Sequence, residues 1–322
     1  MSIPAAFKGQ FRLPAIAAPM FLVSGPELVI ATCCSGICGT LPTLNARPAS
    51  QFDEWLARID TALSARRATH PTVPVAPYGV NLIVHASNGR LAEDLATIVR
   101  HRVPLVISSL GHPGPVVEAV HGYGGLVFAD VIHAHHARRA IEAGVDGIIA
   151  IASGAGGHAG TQSAFSLVRE IRQFWDGCLV LGGAISDGFG VRAAEVLGAD
   201  FAYLGTRFIA TRESAAPDEY KQMIATSHAR DIVYTAAVSG TPANFLWPSL
   251  ERAGYSRDAL AAMTGKAQLH DLDEEIKAWR DTWSAGHGVA TIADVPGVDE
   301  LAKRLAEEYR QACAQAPSAA IG

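Results

Sequence analysis

The 322-residue sequence lacks the marks of several large protein classes. No apolar run reaches the ~20 residues of a membrane-spanning helix. The opening residues, MSIPAAFKGQFRLPA, carry no basic stretch followed by an apolar core that would direct secretion. Basic residues are not in excess: 26 Lys and Arg against 31 Asp and Glu leave a formal charge of -5, so no positive field draws nucleic acid. Cysteine is scarce and unpatterned. Cys33, Cys34, Cys38, Cys178 and Cys313 form no C-x-x-C motif, and Cys34 with Cys38 has no second ligand pair at zinc-finger spacing, so buried reduced thiols and no metal are expected. A Walker G-x-x-x-x-G-K-[ST] is missing, as is a G-x-G-x-x-G between a first strand and its helix. These absences predict a cytoplasmic protein that acts on small molecules. They leave open whether it works as a homo-oligomer.

What the sequence has is alternation. Hydrophobic residues make up 49% of the chain, enough for a sizeable core. Eight short β-rich runs begin at Ala15, Gly36, Tyr78, Leu105, Leu126, Gly147, Leu179 and Phe201, separated by segments of helical period such as FDEWLARIDTALSARR and RLAEDLATIVRHR. Continuous apolar strands with helical crossovers imply a parallel sheet covered on both faces, and eight such units predict a closed (β/α)8 TIM barrel. After Thr211 the rhythm stops. The expectation is a barrel built from residues 1–212 and 283–322, with a small helical segment, 213–282, covering the substrate near the barrel mouth. The last stretch, VDELAKRLAEEYRQACAQ, sets Leu301, Leu305, Tyr309 and Cys313 at a four-residue step and predicts an amphipathic helix closing the barrel wall, with a frayed tail beyond it.

A TIM barrel carries its active site at the C-terminal ends of its strands, often with a phosphate held after the seventh and eighth. Those are the places where glycine gathers here. LGGAISDG puts Gly182 and Gly183 at the end of the seventh run, with Asp187 and Gly188 before a helix, and YLGTRF puts Gly205 and Thr206 at the end of the eighth. Exposed amides, a hydroxyl and a nearby helix N-terminus predict an anion cradle. A phosphate-tailed cofactor lying across the mouth would meet Ala18, Pro19 and Met20 after the first run and Asn81 on the third. The sixth run ends in SGAGGHAG, where His158 stands among residues with almost no side chains. Its imidazole titrates near neutrality, so it is the expected acid or base. Asp130, in ADVIHAHHARRA, reads as a polar strand end facing the pocket, because Arg138 and Arg139 beside His133, His135 and His136 oppose a metal there. His287, in WSAGHGV, reads as part of a turn returning to the barrel.

The motifs APM, GVNL, AGGHAG, LGGAISDG and GADFAYLGTRF, in this order, resemble the nitronate monooxygenase family, formerly the 2-nitropropane dioxygenases. The resemblance spans nearly the whole chain and implies an FMN-dependent TIM barrel. FMN would be held by Ala18, Pro19, Met20, Asn81, Gly156, Gly182, Gly183, Gly205 and Thr206, with His158 as catalytic base. The implied reaction oxidises alkyl nitronates, or nitroalkanes, with O2 to carbonyl compounds and nitrite. Family relatives on the same architecture include NAD(P)H:quinone and enoyl-thioester reductases, an alternative here. A flavin-binding protein without turnover would explain the cradle but not the histidine. Two positions depart from the family pattern: Gly154 stands where a Glu is common, and Asp130 where some relatives carry Lys.

Overall fold

The computed structural model describes residues 2–262, 279–280 and 282–315. The eight expected runs form β1 (Ala15–Ala17), β2 (Cys38–Pro42), β3 (Gly79–Ile83), β4 (Leu105–Ser109), β5 (Leu126–Val131), β6 (Gly147–Ile151), β8 (Cys178–Gly182) and β9 (Phe201–Leu204). All pair in parallel, and β1 closes the ring by pairing with β9, Ile16 opposite Tyr203. Helices follow the strands outside, among them α5 (Ala134–Glu142) after β5 and α7 (Gly188–Leu197) after β8.

Side chains alternate across a strand, so every second residue enters the barrel. Ile107 and Ser109, Phe128 and Asp130, Ile149 and Ile151, Val180 and Gly182, and Phe201 and Tyr203 are such pairs. The lower members, with Leu105, Cys178 and Phe7, make a closed apolar core. Phe7 sits edge-on to Phe201 at 6.2 Å and is joined by Phe11, so the N-terminal segment plugs one end of the barrel. Of the upper members, Ser109, Asp130 and Tyr203 carry polar groups and Gly182 has no side chain, with Ile151 the apolar exception. Core and site are thus two ends of the same strands.

The segment expected to be helical differs. It contains α9 (Asp218–Thr226), but also β10 (Ile232–Thr235) and β11 (Ala243–Leu246), which form an antiparallel sheet with β7 (Gly157–His158). β7 is a two-residue piece of the histidine loop, paired Ala243 to His158 and Asn244 to Gly157. A two-residue strand carries no period of its own, so only its partner reveals it. Much of the expected helix from Glu274 onward lies outside the described residues, as does the tail 316–322.

The final helix, Val298–Ala314, packs against α7 so closely that Gly188 has no room for a side chain. Leu301 and Leu305 are buried, Tyr309 is half-buried, and Cys313, expected on the same face, is exposed. The cause is geometric. A four-residue step overshoots a turn of 3.6 residues by about 40°, and three steps carry Cys313 off the packed face. Cys33, Cys38 and Cys178 are buried as expected, and burial pushes the Cys33 thiol up to about 12. Cys38 belongs to the barrel core and Cys34 packs outside it, so the two do not face a common ligand.

Candidate active site

A cavity of about 920 Å³ opens at the C-terminal ends of the barrel strands. Every residue expected to touch the cofactor lines it: Ala18, Pro19 and Met20, Asn81, Gly156, Gly182 and Gly183, and Gly205 and Thr206. His158 and Asp130 line it too, whereas His287 is exposed and starts a short helical turn outside it.

The glycine cradle is built at the ends of β8 and β9. Gly183 has φ +134, a conformation that L side chains rarely adopt, and a β-carbon there would come within 3.1 Å of the Ser153 carbonyl. The next residue, Ala184, also has positive φ, 55°. Among the described residues, none accepts a hydrogen bond from the amides of Gly183, Ala184, Gly205 or Thr206. The Thr206 hydroxyl accepts from the amide of Gly286 at 2.9 Å, leaving its own proton for another acceptor. Unbonded amides on four residues that line one end of the cavity fit a phosphate group, while the positive φ and the Ser153 carbonyl are what keep Gly183 free of a side chain. The nearby helix N-terminus, however, does not contribute as expected. Asp187 Oδ1 accepts from Gly190 at 2.7 Å, and Glu308 Oε2 accepts from Gly188 at 2.8 Å, so carboxylates already occupy the start of α7.

The histidine loop is held rather than free. Gly157 donates its amide to Ser284 Oγ at 2.6 Å, Ser284 Oγ donates to the Asn244 carbonyl at 2.7 Å, and Asn244 Nδ2 donates to the Ala155 carbonyl at 2.6 Å. This latch joins the loop to β11 and to the segment after Trp283. Gly156 has a second duty besides facing the cavity, since a β-carbon on it would lie 2.9 Å from the Gly286 nitrogen. At Gly154 the room for a side chain is closed by His287 Nδ1, 3.0 Å from an added β-carbon. The His158 ring meets Trp279 edge-on with centroids 5.4 Å apart. Pairing with β11 thus fixes the backbone of His158 while its ring remains at the cavity wall.

On the opposite arc, three strands contribute one chain of polar groups. Asn81 Nδ2 donates to Ser109 Oγ at 2.5 Å, and Ser109 Oγ donates to Asp130 Oδ2 at 2.5 Å. Asp130 Oδ1 is buried without a hydrogen-bond partner among the described residues. Burial pushes its carboxyl up to about 6, against the opposing pull of the Ser109 hydroxyl. Tyr203, from β9, is raised well above its ordinary range by burial and by the neighbouring Asp130, so its phenol stays protonated. Ser109 and Tyr203 were not singled out in the sequence. The signal was the inward alternation Leu105, Ile107, Ser109, which becomes informative once the barrel's register is known. The histidine cluster begins α5, with His136 held low by burial and by His133, His135 and Arg139. Among the described residues, no group of three or more His, Cys, Asp or Glu is placed to hold a metal ion. No helix among them is long and apolar enough to cross a membrane.

Known proteins resemble this chain over most of its length. The nitronate monooxygenase family model matches residues 76–308. The nitronate monooxygenase of Paraburkholderia phytofirmans is 28% identical, with 94% of this chain and 93% of that protein covered. A "(3aS,4S,5R,7aS)-5-hydroxy-7a-methyl-1-oxo-octahydro-1H-indene-4-carboxyl-CoA dehydrogenase" of Rhodococcus jostii is also 28% identical, covering 77% of this chain and 68% of the relative. Among solved structures, the nitroalkane oxidase of Streptomyces ansochromogenes superposes with a TM-score of 0.74 at 26% identity, covering 94% of this chain and 97% of its own. The family match covers well over half the chain and includes the histidine loop, both cradle strands and the Asn81 to Asp130 relay, so this barrel belongs to the nitronate monooxygenase family of oxidoreductases.

Proposed function

We propose that the chain holds FMN across the barrel mouth and oxidises alkyl nitronates with dioxygen to a carbonyl compound and nitrite. The observation that carries the reading is that one cavity is lined both by the glycine cradle of Gly183 and Gly205 and by His158. The flavin, when bound, would supply the electron transfer and the oxygen chemistry. The protein's part is binding, orientation and proton handling. Ala18, Pro19, Met20, Asn81, Gly156 and Gly182 would flank the ring system, and the amides of Gly183, Gly205 and Thr206 would take the phosphate. For a neutral nitroalkane, His158 would accept the α-proton on its imidazole, creating the anion that is oxidised. For a nitronate, that proton is already gone. Segment 213–282 would cover the substrate, with β11 and the Ser284 latch keeping the histidine loop in place.

One observation favours a second reading, an FMN-dependent reductase of acyl thioesters. The cavity is large, and its edge carries His112, His136 and Arg139, cationic or titratable groups suited to an anionic tail. Two assays on the purified protein separate the readings: nitrite release from propyl-1-nitronate in air, and NAD(P)H oxidation with a quinone or an enoyl thioester. Nitrite without NAD(P)H oxidation supports the monooxygenase; the reverse result replaces it.

A further inference from the structure

We propose that Asp130 is an anion-recognition residue of this cavity: with Oδ2 pinned as an acceptor by Ser109, its other oxygen carries the carboxyl proton and donates it in a hydrogen bond to a small planar oxyanion. The inference rests on the reading of the cavity as the place where a nitronate reacts and nitrite is released. Its geometric basis is the relay across β3, β4 and β5.

Because Asn81 Nδ2 donates to Ser109 Oγ, the serine proton must point away, and it goes to Asp130 Oδ2. All three groups sit on adjacent, hydrogen-bonded barrel strands, so the relay is rigid. Oδ1 is left buried and without a partner among the described residues, on a residue that lines the cavity. An ionised carboxylate in that position would lose most of its solvation without compensation. A proton on Oδ1 removes the charge and makes that oxygen a donor.

The charged and titratable groups around the same space do not supply an alternative partner. They are His112 beyond β4, His136 and Arg139 on α5, His158 on β7, Tyr203 on β9, Tyr220 on α9, Tyr234 on β10 and Arg280. None forms a hydrogen bond or ion pair with the Asp130 carboxyl, whose side-chain donor is Ser109. An anion arriving beside Oδ1 would strengthen Asp130's hold on its proton. Above the carboxyl's own titration, binding would therefore take up a proton from solution. A planar oxyanion such as a nitronate or nitrite has an acceptor for that donor at its edge; a neutral ligand gains less from it.

The test is a calorimetric titration of the purified holoprotein with sodium nitrite between pH 5.5 and 8, repeated anaerobically with propyl-1-nitronate. For a bound anion that requires a proton on a group titrating near 6, affinity should fall about fiftyfold from pH 6 to 8. In Asp130→Asn the amide is a permanent donor, and the fall should shrink to about threefold or less. His158→Ala should keep the wild-type fall, which separates Asp130 from the imidazole. Comparing two buffers of different ionisation enthalpy at pH 7 should show nearly one proton taken up per nitrite in the wild type, a readout that needs no variant. Overturning results are an unchanged pH dependence in Asp130→Asn, no proton uptake in the wild type, or no nitrite binding at pH 5.5. If nitrite binds with this signature but nitronates are not turned over, the activity reading falls and the role of Asp130 stands.

Discussion

Replacing Asp130 by Asn should stabilise the protein at alkaline pH and do much less in acid. The carboxyl rises from the ordinary aspartate value of 3.8 to about 6 because the folded chain buries it. The folded state therefore keeps a proton that the unfolded state gives up, and folding is penalised as pH rises through that interval. Below 3.8 both states are protonated and the penalty vanishes; above 6 it is complete. A shift of about 2 pH units corresponds to roughly 3 kcal/mol at pH 8, an upper estimate, and to roughly 1 kcal/mol at pH 4.5. Asn keeps the shape and can still accept from Ser109, but it has no charge to bury. The stability gain of the variant should thus be about 2 kcal/mol larger at pH 8 than at pH 4.5. With an unfolding entropy of about 2.1 cal/mol/K per residue, a chain of this length shifts its Tm by about 1.5 °C per kcal/mol, so the difference is about 3 °C. Scanning calorimetry of both proteins across the pH series measures it. An identical Tm difference at both pH values would mean that Asp130 ionises freely in the fold, and the account of its buried oxygen would be wrong.

Three further outcomes follow from the site. Gly183→Asp should lose flavin while keeping its secondary structure, and Gly183→Asn, with the same backbone strain but no charge, should keep more; equal losses would attribute the effect to the positive φ and not to a phosphate. In His158→Ala, kcat/KM for a neutral nitroalkane should drop by about 10² or more, whereas the pre-ionised nitronate should suffer much less; equal drops would make the ring a positioning group. Ser284→Ala should leave the Gly157 amide without its acceptor, costing about 1–3 kcal/mol, and should speed hydrogen exchange in the histidine loop and β11; unchanged exchange would show that the latch carries no load.

The eight barrel strands were legible because a strand buried on both faces must be apolar throughout, and short apolar runs alternating with helical period have few other solutions. The glycines at the ends of β8 and β9 were legible as residues, and at Gly183 the reason is steric: a positive φ and the close Ser153 carbonyl exclude a side chain, and the chain records that exclusion as glycine. Membership of a parallel barrel then located His158, Asp130 and the cradle at one end, since all strands run the same way. Tertiary contact alone decided the rest. β7, β10 and β11 are short, and the pairing of β11 with β7 joins Ala243 to His158 and Asn244 to Gly157, far apart in the chain, which no local period announces. Asp187 looked like part of an anion site from its place before a helix, yet it and Glu308, from the far end of the chain, fill that helix start themselves. Cys313 kept its spacing but left the packed face as the helix turned. Asp130 was visible as a polar strand end, but its meaning depends on Ser109, whose hydroxyl reaches it, and on Asn81, whose amide reaches Ser109, contacts made only because barrel closure sets three strands side by side in one register. Local chemistry and period are written along the chain. Which polar atoms meet in the buried mouth, and which are left over, follows from the register and crossing of elements that the chain brings together from a distance.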